Sequence, residues 1–346
     1  MTGTSANIVT IRNPSASLTV DLYGGAITGF HLPGSINPLT FKLSSGDMPE
    51  NNRSGAAYQG HFACIGRWGP PSAGEIKAGL PHHGQPANLL WSLQPSAHKT
   101  SISMQVTAPL EGLQVDRSMC LDDDSAVFLT EEKVTNLNAL GRLFNMVQHP
   151  TLAKPFLSDR TIVNCNADQG FNYKLNIKPL EHAAGWPYGI TENGDKLNIS
   201  RPDKPYSSVF SFTIKKDAKF GWLTAYSPEN KLLIGYLWKR NDYAWISLWQ
   251  DFDGGHIRYR GLEFGTTGMH KLYQDVIKEG NHQVFGEANY QYLDAGESQT
   301  RSYLGFMCET QADYTETGNV YLTAERLTIE EAGRKQKITI KTSLKL

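Results

Sequence analysis

A few carboxyl and imidazole side chains in this chain lie among apolar neighbours, and these are the positions where proton chemistry could occur. Glu263 sits in "YRGLEFGTTG", residues 259 to 268, as the one acidic residue of that stretch. A strand sends alternate side chains to opposite faces, so a carboxyl there faces solvent, joins an ion pair or is held in a pocket. His149 lies in "FNMVQHPTL", His82 and His83 in "LPHHGQ", and Arg67 in "CIGRWGPP". Trp249, Asp251 and Asp253 share "SLWQDFDGG". Donors in a fork, an aromatic face and a carboxyl–imidazole pair together suit recognition of a polyhydroxylated ring with proton transfer. Each residue also has a structural explanation. Trp249 fits a strand core, the histidines fit caps or satisfied core groups, and Arg67 fits a guanidinium tying loop carbonyls. Asp251 and Asp253 fit a hairpin turn, and Glu263 an exposed strand position.

A metal is a further possibility for His82, His83 and His149. Adjacent histidines on a strand point to opposite faces, and no HxH or HxxxH spacing occurs, so no metal is expected.

The elements that must position these residues are strands. "SLTVDLYGGAITGFHL" alternates and breaks at Gly24-Gly25. "SISMQVTAP", "SAVFLTEEKVTNL", "RTIVNC", "SSVFSFTI", "KLLIGYLWK", "YAWISLWQDF" and "RSYLGFMCET" are rich in β-branched and aromatic residues between turn clusters. "ERLTIEEAG" reads equally as a short helix or as a polar strand and turn. Residues 44–90 and 181–206 read as long functional loops. With no repeat and no linker, the expectation is one all-β domain over 1–346, a large antiparallel β-sandwich.

The composition excludes several classes. The 346 residues carry a formal net charge of −1, with 40% apolar and 19% charged residues, so no electrostatic draw to nucleic acid or anionic membrane is expected. The lysine-rich end, "GRKQKITIKTSLKL", alternates and reads as a lysine-protected edge strand. The four cysteines form no CxxC pair, and "MTGTSANIVTIRN" lacks the pattern of a signal peptide. A cytoplasmic protein that does not engage a membrane is therefore expected.

The order of these segments resembles the aldose 1-epimerase (galactose mutarotase) superfamily. "VDLYGGAITGFHLPG" is similar to its opening strands, and "GRWGPPSAGEIKAGLPHHGQPANLLWSL" to its stretch from an arginine to a His-Gly. "EKVTNLNALGRLFNMVQHP" resembles the strand that leads to its central histidine, and "YLDAGESQTRSYLGF" the turn before its last core strand. The resemblance implies a large antiparallel β-sandwich that interconverts the anomers of an aldose, with no cofactor. It implies Glu263 as the base on the C1 hydroxyl and His149 as the proton donor to the ring oxygen. It implies His83 and Arg67 as contacts to the sugar, with His82, Trp249 and either Asp251 or Asp253 nearby. A carboxyl raised toward neutrality and an imidazole near neutrality would make a matched pair. The expected partner is a small sugar, bound by a monomer or homodimer. Gln148 and Pro150 around the histidine, Gln85 after the His-Gly, and "GTTG" after the glutamate depart from the family pattern. A carbohydrate-binding protein without catalysis, or a polysaccharide lyase or glycosidase, are the alternatives.

Overall fold

A computed structural model describes residues 7–96, 98–174 and 182–346. The first six residues of the N-terminal segment read above, and residue 181 at the start of the second loop stretch, lie outside them. Two antiparallel sheets face each other, one of eleven strands and one of eight. Their inner faces share a core that includes Phe30, Phe128, Met146, Phe210, Tyr236, Trp238, Ile246 and Phe264. This is the expected β-sandwich.

The outer face of the eight-stranded sheet is covered as well. A three-stranded sheet, Thr317–Leu322, Arg326–Glu331 and Lys337–Lys341, sets Val320, Leu327 and Ile329 against Trp222, Leu233, Leu237, Leu304 and Phe306. Burial on both faces accounts for the unbroken apolar run of the strand Leu232–Lys239. The ambiguous "ERLTIEEAG" contributes the middle strand of this layer, and Lys337–Lys341 lies at its edge with alternating exposure.

The eleven-stranded sheet carries His149, Trp249 and Glu263. At its centre the strand Met146–Leu152 lies between His61–Ile65 on one side and His256–Gly261 with Glu263–Gly265 on the other; Trp245–Asp253 follows. Alternation sends Ala63, Ile65, Met146, Ile246, Leu248 and Phe264 into the sandwich. Phe62, Cys64, Val147 and Trp249 point the other way, into a second cluster roofed by Phe41, Met48, Tyr58 and Trp68. The loop reading of residues 44–90 needs correcting here, because it contains the fully buried strand His61–Ile65. The five residues "HFACI" are short, buried on both faces and without the alternation that betrays a half-exposed strand. Among the described residues no helix is long and apolar enough to cross a membrane.

Candidate active site

Register brings Glu263 and His149 together. Gln148 pairs with Phe264 and His149 with Phe62, so His149 and Glu263 are neighbours on the roofed face. Nε2 of His149 lies 3.3 Å from Oε1 of Glu263. The imidazole stacks on Phe62 with centroids 4.3 Å apart, and its Nδ1 is 3.0 Å from Thr151 Oγ1. The Thr151 hydroxyl in turn donates to the carbonyl of His149. With the hydroxyl proton so placed, Nδ1 is the protonated nitrogen and Nε2 turns its lone pair to the carboxyl.

Glu263 is 1% exposed, and neither oxygen makes an aligned hydrogen bond. Burial pushes its carboxyl well above the ordinary carboxylate range, with the indole N–H of Trp68 offsetting only part of the shift. Burial likewise holds the His149 imidazole down to about 3. The matched pair near neutrality expected from the sequence is thus replaced by two groups that both resist charge. Both shifts favour the uncharged forms, so a proton shared by the two sits on the carboxyl side. Gly261 keeps the space, because a Cβ there would stand 2.9 Å from Glu263 Oε1 and 3.0 Å from Trp249 Cβ.

The pair opens into a cavity of about 270 Å³ lined by Phe41, Asp47, Tyr58, Trp68, Tyr173 and Trp249, with His82, His83 and His270. That volume is at the small end of ligand sites, which begin near 300 Å³. His83 has φ of 63° and Gly84 of 86°, so the two form a left-handed turn, not a strand. A Cβ on Gly84 would meet the Ile65 carbonyl oxygen at 2.1 Å, so only glycine fits. This explains the His-Gly pair physically: the turn lies directly on the backbone of the strand His61–Ile65. Gly69 N–H donates to Nδ1 of His83 at 3.1 Å, which leaves the ring proton on Nε2. The tyrosine hydroxyl of Tyr58 and the amide of Asn52 hold the His82 carbonyl.

Five of the residues singled out from the sequence therefore line one cavity: Glu263, His149, His83, His82 and Trp249. Three do not. Arg67 is turned away, and its two terminal nitrogens engage Glu75 at 2.9 and 2.5 Å. It lines a separate hollow with Glu111, Arg142 and Tyr273. In this geometry it does not face the cavity with Glu263, and its planar fork is already matched by a carboxylate. Asp251 shares the face of Trp249 but is bound to Arg258 Nε at 2.7 Å. Asp253 ends the strand, is exposed, and pairs with His256 across the hairpin. Neither lines the cavity, which supports the turn-forming explanation for both.

His270 was not anticipated. Its ring packs edge-on to Trp68 at 5.0 Å and lies 5.3 Å from His83. It follows an irregular segment, so no alternation could place it. The preceding "GTTG" positions it. Thr266 Oγ1 accepts from Met146 N–H, Gly268 N–H donates to Asn289, and Gly268 leaves room for the Trp245 ring. The departure after the glutamate is thus a structural turn that carries a third histidine over the cavity.

No protein-family model matches the chain, and no curated protein does. Solved structures do. A candidate aldose 1-epimerase from Klebsiella pneumoniae aligns over 88% of this chain and 80% of its own, at 14% identity and a TM-score of 0.61. A candidate aldose 1-epimerase from Escherichia coli K12 aligns over 87% and 99%, at 16% identity and 0.60. A galactose mutarotase-like protein from Clostridium acetobutylicum aligns over 88% and 95%, at 14% identity and 0.60. The chain therefore has the galactose mutarotase-like fold, and these likenesses establish its architecture.

Proposed function

We propose that this protein is a mutarotase: it interconverts the α and β anomers of a free aldose in the cavity around Glu263 and His149. The observation that carries the reading is a buried carboxyl 3.3 Å from a buried imidazole, facing a cavity with room for one sugar ring. The shifts of the two groups favour a single proton shared by the pair. With that proton on Nε2 of His149, the Glu263 carboxylate takes the C1 hydroxyl proton while the imidazolium protonates the ring oxygen. The bond from C1 to the ring oxygen breaks and a C1 carbonyl forms. After rotation about C1–C2, the new hydroxyl attacks the other carbonyl face and both protons return. Two groups that exchange one proton suit this reaction because the substrate also gives one proton and takes one.

Among the described residues no lysine or arginine lines the cavity, which favours a neutral aldose over a sugar phosphate or uronate. The small volume disfavours the lyase and glycosidase alternatives, which must seat a chain of sugars. The working form is taken as a monomer or homodimer of one cytoplasmic sandwich unit, without nucleic-acid or membrane partners. The test is anomer exchange, followed by polarimetry or exchange NMR on a panel of free and phosphorylated aldoses. Glu263→Gln and His149→Ala should each slow exchange by about 10²–10⁴-fold. Wild-type rates in both variants on every sugar would dismiss the reading. Sugar binding without exchange in the wild type would instead identify a carbohydrate-binding protein.

A further inference from the structure

The sequence argues against a metal at His82 and His83 on the ground that neighbours on a strand oppose their side chains. The structure removes that premise. The two lie in a left-handed turn at His83-Gly84, and their rings meet edge-on with centroids 4.2 Å apart. His270 closes the group from the segment after Glu263, 5.4 Å from His82 and 5.3 Å from His83. One nitrogen from each ring lies within 4.8 Å of the other two.

We propose that His82, His83 and His270 form a binding site for a divalent first-row transition ion of the zinc class, with its open coordination positions facing the cavity. Three imidazoles are a sufficient protein ligand set for such an ion, and imidazole selects this class over magnesium or calcium. The rings are otherwise idle. Among the described residues, no hydrogen bond to another residue uses the ring of His82 or of His270, while His83 accepts one, from Gly69. Ligating histidines must be neutral. Tetrahedral bonds of 2.0–2.1 Å place nitrogens about 3.4 Å apart, so each pair needs to close by at most about 1.4 Å.

One contact opposes loading. The Gly69 N–H at Nδ1 keeps the His83 proton on Nε2. Coordination through Nε2 moves that proton to Nδ1 and costs the Gly69 hydrogen bond, a small loss beside a metal–imidazole bond. An ion here would share the cavity with Glu263 and His149. Its open positions would then accept a sugar oxygen, a role that rests on the mutarotase reading; the binding itself does not.

The experiment uses the full chain without an added histidine tag, stripped with a chelator. Titration with Co²⁺ should produce visible absorption bands of a nitrogen-ligated ion that saturate at one per chain, and Zn²⁺ should displace them. His82→Ala and His270→Ala should each weaken binding by at least about 10-fold, and the double variant should abolish it. Circular dichroism verifies that each variant is folded. Absence of the bands at stoichiometric Co²⁺, or bands unaltered in the folded double variant, would overturn the proposal. Anomer exchange is measured in parallel on stripped and loaded protein. Exchange without metal binding sinks the site and spares the mutarotase reading, whereas metal binding without exchange does the reverse.

Discussion

Glu263 and His149 define what can be tested one residue at a time. Because burial holds the imidazole to about 3, the acid limb of kcat/KM should lie well below the 6.5 of a free histidine. An acid limb near 6.5 in the rate profile would contradict this. On the alkaline side, activity should fall as the raised Glu263 carboxyl finally ionises. The same shift has a stability consequence. A carboxyl whose folded value is raised binds its proton more tightly in the folded state, so its contribution is favourable at low pH and is lost as pH rises through the folded value. Glu263→Gln should therefore gain stability relative to wild type between pH 5 and pH 8 in denaturant titrations. Lower stability of the variant at both pH values would mean that the carboxyl has a partner in the fold. Gly261→Ala gives a gentler probe. The added methyl presses on Oε1 of Glu263 and on Trp249, so exchange should slow by about 10-fold or more while near-ultraviolet circular dichroism stays native.

At the scale of elements, the short helix Ala73–Lys77 accounts for the direction in which Arg67 points. Ser72 and Glu75 close a capping box at its N-terminus, and the same Glu75 carboxylate receives both terminal nitrogens of Arg67. The arginine ties the glycine-rich loop to its own helix. Arg67→Met should cost about 1–2 kcal/mol in thermal unfolding and leave KM for the sugar within about threefold. A large rise in KM with unchanged stability would restore the arginine as a sugar contact. The strands themselves were legible where one face is half exposed, as in Ser101–Ala108, whose burial alternates residue by residue. They were illegible where both faces are covered. In "HFACI" burial is continuous, so periodicity carries no signal and the flanking Gly and Pro residues made the region look like loop.

Across the whole molecule, the imidazoles form a pH-sensitive set. His61, His82, His83, His149 and His270 are all held below the ordinary histidine value, in each case chiefly by burial. A depressed value means that the unfolded chain takes up protons the folded chain refuses. The stability these groups support is present above about 6.5 and is lost as pH falls toward their folded values. Each adds to the loss as pH falls from 7 to 5, partly offset by the raised carboxyls of Glu263 and Glu111. The chelator-stripped protein should therefore show a clearly lower urea midpoint at pH 5 than at pH 7. An equal or higher midpoint at pH 5 would mean that these rings are charged, or exposed, in the folded state.

The sequence by itself determined the all-β class, the two-faced alternation of many strands, and the residue types needed for proton transfer, because these depend on composition and on a period of two. The pairing of Glu263 with His149 came only as what the resemblance to the mutarotase family implies. Tertiary structure alone decided which side chains share a cavity. A one-residue register relation sets Glu263 beside His149, a left-handed turn folds His82 and His83 to one side, and the "GTTG" turn brings in His270. Those arrangements depend on long-range pairing and on positive φ angles, and neither leaves a periodic trace in the chain. Arg67, Asp251 and Asp253 show the converse. Their residue types suited a sugar, but nearer opposite charges, Glu75 for Arg67 and Arg258 for Asp251, and an exposed hairpin end for Asp253, had already settled where they point.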